Sequence, residues 1–180
     1  MHSQELEAYG ELAQAITRHV YDDAKISREK ERPEFREIEG PIYYHWHMSP
    51  FESAAYNLLR LGILNDAGAP HGRPFVNFSF NCSVGDAGKI AKQNWISGPT
   101  FLELLSAFIG LYGYYDRDTG FSIDRNEPFN VDNRIAPALD AIALLGYVTK
   151  AEKGYVWTEL AAPAMYENYL WPNYSDGMEP

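Results

Sequence analysis

The sequence predicts a mainly helical α+β protein with short β-hairpins, organised as two related units. Three observations point to this. Apolar residues recur at helical spacing through several long stretches. Short aromatic and β-branched runs stand between them, bounded by glycine-containing turns. One pattern, an apolar helix that ends in Leu-Gly and runs into a hairpin, occurs twice.

Residues 4 to about 24 make the first expected helix, with Leu6, Tyr9, Leu12, Ala13, Ile16 and Val20 at helical spacing. Residues 22–39 carry dense charge of both signs and are interrupted by Pro33, so a helix tail and a solvated connection are expected. Residues 41–48, rich in Tyr, His and Trp, read as a strand. A second helix opens at Ser49, a capping side chain, with Pro50 at the first helical position and Glu52 completing a capping box. It carries Phe51, Ala54, Ala55, Leu58, Leu59 and Leu61 and ends at Gly62, expected in the left-handed conformation. Ile63 and Leu64 begin a strand. A Gly/Pro-rich loop then leads to the alternating run Phe75-Val76-Asn77-Phe78-Ser79-Phe80.

A short helix is expected after Ser83, around residues 87–95. Thr100 and Glu103 form another capping box, which opens a strongly apolar helix through Tyr112. Residues 113–131 read as loop or hairpin, turning at Asp118-Thr119-Gly120. Asp132 or Asn133 is the expected cap of a helix carrying Ile135, Leu139, Ile142 and Leu145, which Gly146 ends. Tyr147-Val148 and Tyr155-Val156-Trp157 make a tight hairpin, and a last helix is expected from Thr158 to about Trp171, packing through Leu160, Met165 and Tyr169.

Residues 54–64 match residues 138–148. Each is an apolar helix, then Leu-Gly, then two strand formers, then a polar turn and a second strand, with Phe75-Val76 answering Tyr155-Val156. Each is preceded by a long helix, 4–24 and 100–113. A helix that stops at a left-handed glycine and turns into a covering ribbon is the second half of a winged helix-turn-helix. The expected organisation is a tandem winged-helix-like repeat. Residues 1–85 form the first unit, with the charged insertion 22–39. Residues 86–180 form the second, with a C-terminal helix and an aromatic acidic tail.

This arrangement resembles the tandem winged-helix accessory subunits of SMC-type ATPase complexes, the kleisin-interacting tandem winged-helix elements. Residues 49–64 also resemble the small middle components of bacterial three-component ABC-ATPase defence systems. The resemblance covers about residues 49–80 and 99–170, and the charged insertion departs from a minimal winged helix. It implies a protein-binding accessory subunit whose partner is a larger ATPase or a linker subunit.

Composition restricts the partners. A net charge of −10 repels phosphate backbones and anionic membranes at long range. The single cysteine, Cys82, allows no disulfide within the chain, which suits a reducing cytoplasm. The N-terminus has neither the basic start nor the apolar run of a signal peptide. No window is apolar enough for a membrane span.

Gly85-Asp86-Ala87-Gly88-Lys89-Ile90 follows a strand, as a phosphate-binding loop does. However, only two residues separate its glycines and Ile90 replaces the Mg²⁺-binding hydroxyl, so a turn into a helix is the simpler reading. His45 and His47 fall on one face of a strand, but with His71 they lack any zinc-site spacing. Asp116, Asp118 and Glu127 sit at calcium-loop positions, yet Gly120 and Phe121 stand where a ligand and a glycine belong. Cys82 has neither a helix terminus nor a basic group near it in the sequence, and a buried, inert thiol is expected. No catalytic residue, cofactor or metal site follows from any of these.

DNA binding is the serious rival, because winged helices often read DNA. The contacting surfaces would be the two helices and the wings: helix 50–61 carries Glu52 and Arg60 and helix 133–145 carries Arg134 and Asp140, so each is neutral, and the second wing sets Lys150 and Lys153 against Glu152. Groove readers neutralise several phosphates and place Arg, Asn or Gln on bases. The expected function is therefore a non-enzymatic adaptor with a protein partner or a second copy of itself. A DNA-binding regulator and a toxin-neutralising immunity protein are the alternatives. From Glu159 onward the chain has four acidic residues and no Lys or Arg, interleaved with Tyr166, Tyr169, Trp171 and Tyr174. Those four aromatics are the candidate partner anchors. Gly62 and Gly146 are the structural turn glycines.

Overall fold

The computed structural model describes residues 2–29, 42–45, 50–68, 75–116, 120–124, 135–151 and 154–165. The architecture is mainly helical, with two small antiparallel sheets.

The first helix, α1 (Ser3–Glu29), is the centre of the molecule. Ala8, Tyr9, Leu12, Ala13, Ala15, Ile16 and Val20 are all buried. This set is broader than the single stripe of a surface helix, because other helices cover α1 from several sides. After it come β1 (Ile42–His45), α2 (Pro50–Arg60), β2 (Leu64–Gly68) and β3 (Phe75–Phe80). β3 lies between β1 and β2, pairing Tyr44 with Val76 and Leu64 with Phe80.

The chain continues through α3 (Val84–Asn94) and α4 (Phe101–Tyr112). A hairpin of β4 (Tyr114–Asp116) and β5 (Gly120–Asp124) follows, then α5 (Ala136–Leu144) and the hairpin β6 (Val148–Ala151) and β7 (Gly154–Trp157). A 3-10 turn (Glu159–Ala161) and the single turn α6 (Ala162–Met165) end the described chain. α1 packs against α2, α3, α4 and α5, while α2 packs on α4. In the second sheet, β7 lies between β5 and β6, and β4 extends the edge beyond β5.

Both sheets therefore repeat one plan: the last strand sits between the strand before the helix and the strand after it. The repeat extends to individual hydrogen bonds. At the end of α2, the Gly62 N–H donates to Leu59 and the Ile63 N–H to Leu58; at the end of α5, Gly146 donates to Ala143 and Tyr147 to Ile142. These are Schellman caps, and they require a left-handed residue between helix and strand. Gly62 has φ 78° and Gly146 φ 90°. The residue after each third strand then locks the same corner. Asn81 and Thr158 donate their backbone N–H groups to Ile63 and Tyr147, and their side chains to the carbonyls of Gly62 and Gly146.

Several boundaries differ from the sequence reading. α3 begins at Val84 rather than near Ala87, with Ser83 at its cap position. α5 begins at Ala136, with the buried Ile135 in the cap position and Pro137 in the first turn. Asp132 and Asn133, the expected caps, lie outside the described residues, as does Ser49. α4 is capped as the sequence indicates: Thr100 accepts from the Glu103 N–H at 3.1 Å. The Glu103 carboxylate does not turn back to close the box but reaches Arg60 on α2.

Candidate functional site

The surfaces weighed for DNA reading are the two helices that lead into hairpins, α2 and α5, and the hairpins themselves; Lys150 is exposed on β6, while Glu152 and Lys153 lie outside the described residues. α2 is enclosed. Ser53, Ala54, Ala55, Asn57 and Leu58 are all buried. Ser53, Asn57 and Arg60 share one face, since they are spaced by four and three residues. That face meets α4: Arg60 pairs with Glu103, and its second guanidinium nitrogen donates to the Gly98 carbonyl at 3.3 Å. The seam is polar. The Ser53 hydroxyl, the Asn57 amide nitrogen and the Ser106 hydroxyl of α4 are buried without a hydrogen-bond partner among the described residues.

Tyr9 anchors the same corner from α1. Its hydroxyl donates to the Pro99 carbonyl at 2.7 Å. Burial pushes its phenol up to about 12; Arg60 pulls the other way and Glu103 adds to the rise.

α5 is open on its outer side. Ala138, Leu139 and Ile142 face the core, whereas Pro137, Asp140 and Leu144 are exposed and Ala141 is half-buried. Leu144 is 77% exposed. The helix carries no Lys or Arg. Next to its end, Leu160 approaches Gly146, where an added Cβ would lie 3.6 Å from Leu160 Cδ2. The sequence reading packs Leu160 inward on a continuous helix. Instead, the 3-10 turn buries Ala161 and leaves Leu160 half exposed, while Met165 packs against the core.

A cavity of about 460 Å³ lies between α1 and the start of α3, lined by Arg18, Tyr21, Phe80, Cys82, Ser83 and Gly85 among others. Cys82 is at its wall, partly exposed rather than buried. Burial and the nearby Asp86 carboxylate raise its thiol pKa, so it stays protonated near neutral pH. Arg18 lies 3.9 Å from Asp22, and the Ser83 hydroxyl donates to Asp86 at 3.1 Å. Contrary to the sequence reading, Cys82 does adjoin a helix start, directly before the cap residue Ser83 of α3, and Arg18 lines the same cavity; the Cys82 thiol pKa is raised all the same.

The other motifs are dispersed. Residues 85–90 lie inside α3, with Gly88 buried against Gly10 of α1, so the segment is helix rather than loop. His45 is on β1, while His47 and His71 lie outside the described residues. Asp116 pairs with Gly120 in the β4–β5 hairpin; Asp118 and Glu127 lie outside the described residues. Among the described residues no three His, Cys, Asp or Glu side chains are grouped to hold a metal ion. No described helix is long and apolar enough to cross a membrane. Tyr166, Tyr169, Trp171 and Tyr174 all lie beyond the described chain.

Comparison with known proteins adds no relative: no family model, curated protein or solved structure matches the chain.

The sequence reading missed the outer face of α5. The signal was present, since Pro137, Ala141 and Leu144 follow helical spacing. With Leu139, Ile142 and Leu145 they make the helix apolar on nearly every side, and periodicity alone does not tell which side meets solvent.

Proposed function

We propose that this protein is a non-enzymatic adaptor built from two winged-helix-like units, and that it works by binding another protein. The observation that supports this most directly is the state of the two groove-facing candidates. α2 is enclosed by α1 and α4, and α5 turns Pro137, Asp140 and Leu144 outward with no cation among them. A helix that reads DNA needs an exposed face with groups that neutralise phosphates and hydrogen-bond to bases. An exposed leucine beside a carboxylate suits a protein surface instead.

The repeated order of helix, strand, helix and hairpin, with the last strand in the middle of each sheet, supports the winged-helix assignment. In this reading the partner is a larger subunit of a cytoplasmic ATPase complex of SMC-like or ABC type, with the adaptor as an accessory component. The test is direct. The purified chain is titrated with duplex DNA at physiological salt, and its complex with the candidate ATPase or linker subunit is reconstituted from purified proteins. The expected outcome is no DNA retention and a defined stoichiometric complex. Tight, salt-sensitive duplex binding by the lone chain would overturn the adaptor assignment.

A further inference from the structure

The two units are alike in backbone but differ in what covers them. The spacing that carries Gly62 onto Gly146 also carries Ser53 onto Pro137, Tyr56 onto Asp140, Asn57 onto Ala141 and Arg60 onto Leu144. Both helices end at the equivalent residue, Arg60 and Leu144. In the first unit α4, the leading helix of the next unit, packs on α2: Ser53 and Asn57 are buried, and Arg60, partly exposed at the end, pairs with Glu103 of α4. In the second unit no helix among the described residues lies on the matching face: Pro137, Asp140 and Leu144 are exposed. A lone exposed leucine would carry no meaning. Here the same molecule shows what occupies the matching face: an apolar helix, laid against it.

The side chains define the chemistry of the missing helix. Where the covered face has Ser53, Asn57 and Arg60, the open one has Pro137, Ala141 and Leu144, so its occupant presents apolar groups rather than the Glu103 and Ser106 of α4. Asp140 stands at the edge of the face, and Glu159 is exposed beside Leu160 at the end of the helix. Charge decides between a foreign partner and a second copy. A symmetric pair of α5 helices would bring Asp140 towards its own counterpart, on chains that each carry −10. A basic partner gains where a second copy is repelled.

We propose that the outer face of α5, formed by Pro137, Asp140, Ala141 and Leu144 with Leu160 at its end, docks a basic amphipathic helix of a partner protein in the way α4 docks on α2. This rests on the adaptor reading and gives it a site and a partner chemistry. Leu144 is the central anchor, and Asp140 and Glu159 select a cationic rim.

The test uses the full-length chain and a synthetic amphipathic helix with Leu and Phe on one face and Lys on the other. A peptide of the same composition in scrambled order is the control. Binding is followed by anisotropy and mapped by amide chemical shifts. The expected result is shifts confined to α5 and the Glu159–Ala161 turn, and affinity for the amphipathic peptide only. Leu144→Asp should weaken it about tenfold or more, and Asp140→Lys should weaken it and flatten its salt dependence. Ile96→Asp, at a site 81% exposed and distant in sequence, should leave binding unchanged. Because Leu144 is already exposed, retained thermal unfolding shows that Leu144→Asp is folded. Equal binding of the scrambled peptide, shifts elsewhere, or unaltered affinity in Leu144→Asp overturns the site. A wild-type dimer in sedimentation that Leu144→Asp renders monomeric also overturns it, by assigning the face to a second copy. A purified partner complex that forms normally with Leu144→Asp sinks this site but leaves the adaptor reading standing, whereas duplex-DNA binding removes the adaptor reading itself.

Discussion

Gly10 and Gly88 face each other where α1 crosses α3, so closely that a Cβ on Gly88 would lie 2.9 Å from the Gly10 carbonyl oxygen. The two backbones approach to a distance that no side chain allows. Lys92, one turn beyond Gly88, reaches back to Glu7 at 3.0 Å and closes the crossing on its outer side.

Gly88→Ala should therefore destabilise the protein by about 1–3 kcal/mol, because rigid backbone on α1 must move to admit the methyl group. Gly85, three residues earlier, has only the Ser83 hydroxyl oxygen at 3.9 Å from an added Cβ. Gly85→Ala should raise stability by about 0.5 kcal/mol through helix propensity. Urea unfolding of the two variants gives opposite signs if the crossing is as tight as described.

The two Schellman glycines should respond alike. Val at Gly62 or Gly146 forces a branched side chain into the left-handed region and should cost about 1–2 kcal/mol. Asn tolerates that region better and should cost less than Val at both sites. A marked difference between the two positions in thermal unfolding would show that their shared hydrogen-bond pattern does not carry shared energetics.

The α2–α4 seam should be improvable. Ser106 is buried with its hydroxyl unpartnered among the described residues. Ser106→Ala removes a desolvated polar group and little volume, so stability should rise by about 1 kcal/mol. The nearby Arg60–Glu103 pair is partly open to solvent, so Glu103→Ala should cost only about 0.5–1 kcal/mol and less at high salt. Chemical denaturation at two ionic strengths reads both effects.

Tyr9 makes stability depend on alkaline pH. Its folded-state pKa is raised from 10.0 to about 12. The folded protein therefore holds the phenolic proton more tightly than the unfolded chain. The contribution is full below pH 10 and is lost as the pH rises through about 12. Tyr9→Phe should cost about 1 kcal/mol near neutral pH, since the Pro99 carbonyl loses its donor. The gap between wild type and variant should then shrink as the pH climbs through that window, which a series of denaturant midpoints measures.

Local signals in the sequence determined much of this protein. Thr100 and Glu103 mark the start of α4, Pro50 opens α2, and the two Leu-Gly pairs mark where helices give way to hairpins. Each depends on a few neighbouring residues and on backbone geometry that only certain side chains permit. The repeat was legible for the same reason, because both copies use the same local devices. Tertiary structure decided what those devices could not encode. Ser53 and Pro137 hold the same place in the two helices, yet one is buried and the other exposed, because α4 packs on α2 and no described helix covers the outer face of α5. The close approach of Gly88 to Gly10 appears only when α1 is laid across α3, and Leu160 reads as core until the chain tightens into a 3-10 turn. Burial is a property of what lies across from a residue, so a face shared by two similar helices became seam in one and open surface in the other.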